Sequence, residues 1–97
     1  MPRYLVERRF NVTEDEMPAV GKRSRMVARD EVPTVKWEIS HVIVGDDGLV
    51  TTYCVYGAPD EEAILAHAAL LGEHNVAGIQ EIAGDVTPDD FPLDDDA

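Results

Sequence analysis

A chain of 97 residues forms a single domain, and a domain of this size buries only roughly two-thirds of the surface that its unfolded chain exposes. It carries 8 basic and 20 acidic residues, for a formal net charge of −12. This balance excludes binding to nucleic acids through their phosphates, which requires clustered lysine and arginine, and it disfavours anionic membranes. The single cysteine cannot form an internal disulfide, so a secreted, disulfide-bonded scaffold is not predicted.

The N-terminal residues predict a strand rather than a targeting segment. They contain no apolar stretch long enough for a signal peptide or a membrane span, which predicts a cytoplasmic protein. Arg3 to Phe10 has strand character, and Tyr4 and Val6 share one face with Phe10 but also with Arg8. Mixed faces of this kind favour a central strand that is partly covered on both sides.

A helix follows the first strand. Thr13 and Glu16 have the spacing of a capping box, and Pro18 marks the position at which the helix proper is expected to begin. Residues recur along this segment at the spacing of one helical face: Met17, Val20, Ser24, Val27 and Ala28. Pro33 ends the segment.

Thr34 to Val44 and the strand that begins at Leu49 are predicted to form a hairpin, because the residues between them, Gly-Asp-Asp-Gly, favour a turn. With a four-residue loop, Val44 lies opposite Leu49 and Trp37 opposite Tyr56. This register places eight residues on the expected core face: Trp37, Ile39, His41, Ile43, Val50, Thr52, Cys54 and Tyr56. A slip of one residue would exchange the two faces. The second face is too apolar to be left in water, which predicts a partner.

The second half of the chain repeats the helix–strand pattern. A helix is predicted from Pro59 to Leu71 and a last strand from Val76 to Val86, with His74 in the loop between them. The apolar stripe of this helix is Ile64, His67, Ala68 and Leu71, and Gly72 ends it. We predict that residues 1–88 form the domain and that residues 89–97 form an acidic, poorly ordered tail. The order of elements predicts an α+β, ferredoxin-like βαββαβ fold with a four-stranded antiparallel sheet.

Several short segments match a known sequence pattern over about residues 1 to 88. They are Met1 to Arg8, Trp37 with Ser40, Tyr53 to Tyr56, Ala58 to Glu62, Ile64, and His67 with Ala68. The chain therefore resembles a family of small ferredoxin-like domains of unknown function, of which one described member binds nickel. The resemblance implies a homodimer whose two sheets pack face to face as a dimeric α/β-barrel. It also implies a site for nickel or another divalent transition metal.

Three residues are candidate metal ligands, because imidazole and thiolate groups suit borderline transition metals: His41, Cys54 and His67. In the predicted register His41 and Cys54 are diagonal neighbours on one face, and the helix stripe turns His67 toward that face. The chain has no Cys-x-x-Cys or His-x-x-x-His pair of the kind that marks structural zinc sites. The alternative is that Cys54 is a small buried apolar residue and His67 a hydrogen-bonded core histidine.

The leading functional prediction is thus a small nickel-binding protein. One alternative is a small-molecule-binding or monooxygenase-like dimeric α/β-barrel protein with a pocket lined by Trp37, Tyr53 and Tyr56. Another is a non-catalytic dimerisation module. The sequence does not favour an enzyme: a thiolate at Cys54 with His41 or His67 as base is geometrically possible, but nothing indicates an oxyanion hole or a lowered thiol pKa.

Overall fold

The computed structural model describes residues 1–94, and it arranges them as one four-stranded sheet with two α-helices. The elements are β1 (Arg3–Thr13), α1 (Met17–Asp30), β2 (Lys36–Val44), β3 (Leu49–Gly57), α2 (Glu61–Leu71) and β4 (His74–Glu81), with short 3-10 segments at Glu14–Glu16 and Pro88–Asp90. The strand order is β2-β3-β1-β4, and each strand is antiparallel to its neighbours. This confirms the predicted ferredoxin-like fold. None of the described helices is both long and apolar enough to cross a bilayer.

The first helix begins as its sequence predicts. The backbone N–H of Thr13 donates to the Glu16 carboxylate at 3.1 Å, which closes the capping box before α1. Pro18 then lies in the first turn of α1, where the lack of an N–H costs no helical hydrogen bond. On the inner side of the helix, Val20 and Ser24 are buried.

The second helix also follows its pattern, with one correction at its start. The Asp60 side chain accepts from the Ala63 N–H at 3.0 Å, so Asp60 is the N-cap and Pro59 lies outside the helix, not at its first position as predicted. Gly72 ends α2 with a positive φ of 70°. The predicted apolar stripe is confirmed, because these are the buried residues of α2: Ile64, His67, Ala68 and Leu71.

The core lies between the helices and one face of the sheet. One buried cluster surrounds the fully buried Ile64 and another surrounds Val20, and both include alternate residues of the central strand β1. Those residues are Tyr4 and Val6 in the first cluster and Phe10 and Val12 in the second. Arg8 lies on the same face of β1, between Val6 and Phe10, as the alternation of the sequence predicts.

The register of the β2–β3 hairpin differs from the prediction by one residue. The Gly45 N–H donates to the Leu49 carbonyl at 2.9 Å, so the loop has three residues and not four. Gly48 takes the left-handed conformation that this type of turn requires, with φ 80°. Val44 consequently pairs with Val50, where Leu49 had been predicted.

A second irregularity compensates for the shift farther along β2. The register changes again between Trp37 and Ile39, and Glu38 is the extra residue of a β-bulge. The predicted pairing of Trp37 with Tyr56 is therefore confirmed. Between the bulge and the turn, however, every residue of β2 lies on the face opposite to the predicted one.

The changed register of β2 determines which side chains lie on the second face of the sheet. We call this face, on which no described helix packs, the outer face. Ile39 and His41 pair with Val55 and Tyr53, and they lie with Ile43 on the outer face. Ile39 and Ile43 are each 51% exposed. A small domain with one bare sheet face leaves these apolar side chains in water.

The last strand begins earlier than predicted, and the acidic end of the described chain is exposed. β4 runs from His74 to Glu81, earlier than the predicted Val76 to Val86, so His74 is a strand residue and not a loop residue. Every residue from 83 to 94 is exposed. Part of the predicted tail, residues 95–97, lies outside the described residues.

Candidate functional site

The most unusual group in the interior is the side chain of Arg8, which is 1% exposed at the centre of the sheet. Its Nη2 lies 3.2 Å from Nδ1 of His67 on α2, and its Nη1 lies 3.0 Å from Nε2 of His74 on β4. The guanidinium carbon lies 5.0 Å from the centre of the Tyr56 ring. Three elements of the fold therefore converge on one positive charge.

These contacts fix the protonation of both histidines. A guanidinium is always charged and only donates hydrogen bonds, so the ring nitrogens that face Arg8 must be acceptors. The other nitrogen of each ring donates instead: Nε2 of His67 to the Ser24 carbonyl at 3.0 Å, and Nδ1 of His74 to the Gly72 carbonyl at 2.8 Å. Both imidazoles are therefore neutral, and no nitrogen of either ring is left over.

The electrostatics agree with this assignment. Burial lowers the pKa of His67 and of His74 below the ordinary value of 6.5, and the positive charge of Arg8 lowers both pKa values further. Burial likewise raises the pKa of the Tyr56 hydroxyl, so that this ring remains a neutral phenol. The groups that surround Arg8 are thus polar but uncharged.

Arg8 has no anionic partner within the part of the chain that the structure describes. The arginines that form ion pairs with carboxylates there are Arg3, Arg9, Arg23 and Arg29. The Nε of Arg8 is buried without any hydrogen-bond partner. A buried cation without a counter-ion and with an unsatisfied donor is costly, so its presence calls for an explanation other than stability.

Arg8 also lines a cavity of about 390 Å³ between α1 and the sheet. Its walls are mainly apolar, and they include Phe10, Met17, Val20, Trp37, Val42 and Leu71. Polar groups from both sides reach it as well: Ser24 from α1, and Ser40, Thr52 and Cys54 from the strands. The arrangement is a mostly apolar cavity whose polar groups are one buried cation, a few hydroxyls and the exposed carboxylate of Glu14.

The structure brings two of the three predicted metal ligands to the helix side of the sheet and places the third on the outer face. Cys54 on β3 and His67 on α2 are both buried on this side of the sheet. The Cys54 sulfur lies 3.1 Å from the Thr52 hydroxyl. Ser40, not Ile39 as predicted, is the residue opposite Cys54, and His41 pairs with Tyr53 on the outer face. The predicted convergence of His41 with Cys54 is therefore wrong, because it depended on a four-residue turn. Among residues 1–94, no group of three or more His, Cys, Asp or Glu side chains could hold a metal ion.

The interior does not fit a nickel ion. Both nitrogens of His67 are already in contact with Arg8 and the Ser24 carbonyl. A divalent cation there would also approach the buried guanidinium, and like charges in a low-dielectric interior repel strongly.

Sequence reasoning missed two residues of this site, Arg8 and His74. The signal for Arg8 was present, because it is the one charged residue on the otherwise apolar face of β1. His74 had no such signal, because its position in β4 depends on where α2 ends. Of the three aromatic residues predicted to line a pocket, Trp37 and Tyr56 line this cavity. Tyr53 lies on the outer face with His41, where it lines a separate pocket with Glu7.

Fold and site together define a small ferredoxin-like α+β domain with a polar cluster beneath an open cavity. The chain belongs to the SCO4226-like family: the family model described as "Nickel responsive protein SCO4226-like" matches residues 4–82. The resemblance predicted from the sequence is thereby confirmed. Among solved structures the chain is similar to SCO4226 from Streptomyces coelicolor A3(2), with a TM-score of 0.68 and 22% identity over 87% of this chain and 99% of that chain. No curated protein matches the chain.

Proposed function

We propose that this protein binds nickel as a homodimer in which the outer faces of two sheets pack together, with His41 as the imidazole ligand. The family description, a nickel-responsive protein, supports the choice of ion. The proposal keeps His41 from the predicted ligand set and leaves out Cys54 and His67, which the interior contacts occupy. The predicted cytoplasmic location stays a prediction.

The observation that carries the proposal is the state of the three histidines. His67 and His74 have both ring nitrogens in hydrogen bonds. His41 is exposed, and its ring has no hydrogen-bond partner among the described residues. Neutral imidazole is a good ligand for nickel, so His41 is the histidine from which a site can be built without breaking the core.

The surroundings of His41 favour a site completed by a second copy. His41 pairs with Tyr53 on β3, and Tyr53 pairs with Glu7 on β1, so the three residues form one row across the outer face. Two strand spacings separate His41 from Glu7, about 10 Å, which is too far for both to bind one ion. A two-fold interface supplies every residue twice, so a ligand of one copy can approach His41 of the other.

The apolar residues of the outer face give the two copies a reason to associate. Leu5, Ile39 and Ile43 are 39%, 51% and 51% exposed, and half-buried Tyr53 and Val55 lie among them. Burying such a face contributes roughly 25 cal/mol per Å² of apolar surface. Bound nickel would link the two chains through their ligands, so nickel should stabilise the dimer.

Calorimetric titration with nickel tests the metal part of the proposal. We expect the wild-type protein to bind nickel, with no more than one ion per chain, in a buffer that contains excess magnesium to compete for the exposed aspartates. We expect His41→Asn to weaken binding at least tenfold, or about 1.4 kcal/mol. His74→Gln is the matched control, because it changes a histidine bound to Arg8, and it should bind nickel like the wild type.

Light scattering with the same proteins tests the dimer. Ile43→Glu places a charge on the outer face and should give a monomer, whereas Leu70→Glu changes an equally exposed residue of α2 and should leave the dimer intact. Unchanged nickel affinity in His41→Asn would disprove the site. A wild-type dimer that binds no nickel would leave the dimerisation module as the function, and a wild-type monomer would refute the assembly.

A further inference from the structure

We infer that the cavity between α1 and the sheet is a binding site for a small monocarboxylate with an apolar body, and that Arg8 recognises its carboxylate. This site is separate from the proposed nickel site, because it lies on the other side of the sheet from His41. It needs neither the metal nor the second copy.

The positive charge of Arg8 is the feature that calls for an anionic ligand. Arg8 lines the cavity, is 1% exposed and has no carboxylate partner within residues 1–94. Of its five N–H donors two contact the rings of His67 and His74, and Nε has no partner at all. Neutral imidazoles satisfy donors but bring no negative charge. The missing component of this cluster is therefore an anion.

The orientation of Arg8 is set by its neighbours before any ligand arrives. His67 and His74 hold the two Nη atoms from opposite elements, and the Tyr56 ring lies 5.0 Å from the guanidinium carbon. A guanidinium held in this way loses little freedom when it binds a carboxylate, whose two oxygens match its planar fork. A prearranged guanidinium favours a carboxylate over a neutral amide. Both carboxylate oxygens accept hydrogen bonds, whereas an amide accepts only through its oxygen because its nitrogen is a donor.

The walls define the rest of the ligand. The cavity of about 390 Å³ is within the usual range for small-molecule sites, and apolar side chains such as Phe10, Met17 and Val42 form most of its surface. The exposed Glu14 at its edge and the net charge of −12 oppose highly charged anions such as phosphate esters. One negative charge on an apolar body is the combination that fits both the walls and Arg8.

Trp37 makes the inference directly testable, because it is the only tryptophan of the chain and it lines the cavity. The fluorescence of Trp37 is titrated with three probes of equal length: hexanoate, hexanamide and hexylammonium, in a metal-free buffer with a chelator. We expect hexanoate to change the emission and to bind at least tenfold more tightly than hexanamide. We expect hexylammonium not to bind.

Three variants distinguish specific binding in the cavity from nonspecific binding elsewhere on the protein. Gly21→Leu should abolish hexanoate binding, because Gly21 lines the cavity and a Cβ there meets no atom within 4 Å, so the side chain can fill the space. Gly84→Leu is the matched control, since its Cβ is equally unobstructed and lies away from the cavity. It should bind hexanoate like the wild type. Arg8→Lys keeps the charge without the fork and should reduce the preference for hexanoate over hexanamide.

Three outcomes would overturn the inference. Equal affinity for hexanoate and hexanamide would remove the role of Arg8, and undiminished binding by Gly21→Leu would place the probe outside the cavity. Absence of hexanoate binding even at about ten millimolar would remove the site. Gly21→Leu leaves Arg8 and its histidines in place, so the test remains decisive even if Arg8→Lys does not fold.

Discussion

The contact between Arg8 and His67 should make the folded protein sensitive to mild acid. The His67 ring must stay neutral to accept from Arg8, and burial followed by the charge of Arg8 lowers its pKa in the folded state. In the unfolded chain the same ring titrates near its ordinary value of about 6.5. Below that pH the unfolded state binds more protons than the folded state. The stabilising contribution is therefore complete above about pH 6.5 and is lost as the pH falls toward the folded pKa.

The size of the effect follows from the burial of the ring. His67 is 0% exposed, and both of its nitrogens are in hydrogen bonds, so the folded state resists protonation. If it stays neutral throughout, the free energy of unfolding falls by about 1.4 kcal/mol between about pH 7.5 and about pH 5.5, and this is an upper bound. His74 is only half-buried and should add a smaller loss in the same direction.

Urea denaturation at the two pH values measures this loss, with His67→Gln as the comparison. Glutamine can accept from Arg8 and donate to the Ser24 carbonyl, but it does not titrate. With a urea dependence of about 1–3 kcal/mol per M, the wild-type midpoint should fall by up to about 0.5–1.4 M more than that of the variant. Protein concentration is held constant because assembly would shift the midpoint. An identical pH dependence for the two proteins would refute the neutral-imidazole assignment.

Three further changes are expected to alter the free energy of unfolding, each measured by the same urea titration. Ile64→Ala should lower it by about 2–5 kcal/mol, because it opens a cavity around a fully buried side chain, and a loss below about 1 kcal/mol would mean that the core collapses around the gap. Gly48→Ala should lower it by about 1–2 kcal/mol, because φ at this turn is 80°, and an unchanged midpoint would contradict the observed turn. Gly21→Ala should raise it by about 0.5–1 kcal/mol, because alanine favours the helix and its Cβ meets nothing within 4 Å; a loss would indicate unseen crowding there.

Local patterns predicted the elements of the fold well. The buried stripe of α2 follows from the 3.6-residue period alone, and the capping box at Thr13 and Glu16 required only their spacing. The alternation of side chains along a strand also predicted which residues of β3 are buried: Val50, Thr52, Cys54 and Tyr56. In each of these cases the information is contained within a few residues of the chain.

The site was harder to predict because it depends on single-residue differences. Gly-Asp-Asp-Gly is compatible with a loop of three or four residues, and only the pairing of Gly45 with Leu49 distinguishes them. His74 contacts Arg8 because β4 begins only two residues after Gly72, which makes His74 its first residue. The role of Arg8 arises from side chains that are 59 and 66 residues away in the chain, and no local pattern encodes such a distance.

The short turn at Gly45 to Leu49 has a consequence for how members of such a family diverge. Side chains alternate along a strand, so inserting one residue while the turn keeps its three-residue loop would exchange the faces of the neighbouring β2 residues. His41 would then enter the helix side of the sheet, and Ser40 would move to the outer face. A single insertion or deletion can thus relocate an imidazole through the whole thickness of the sheet, although the composition of the strand is unchanged. Sites in relatives of this chain are therefore best compared by strand register, because a histidine at an aligned position need not face the same way.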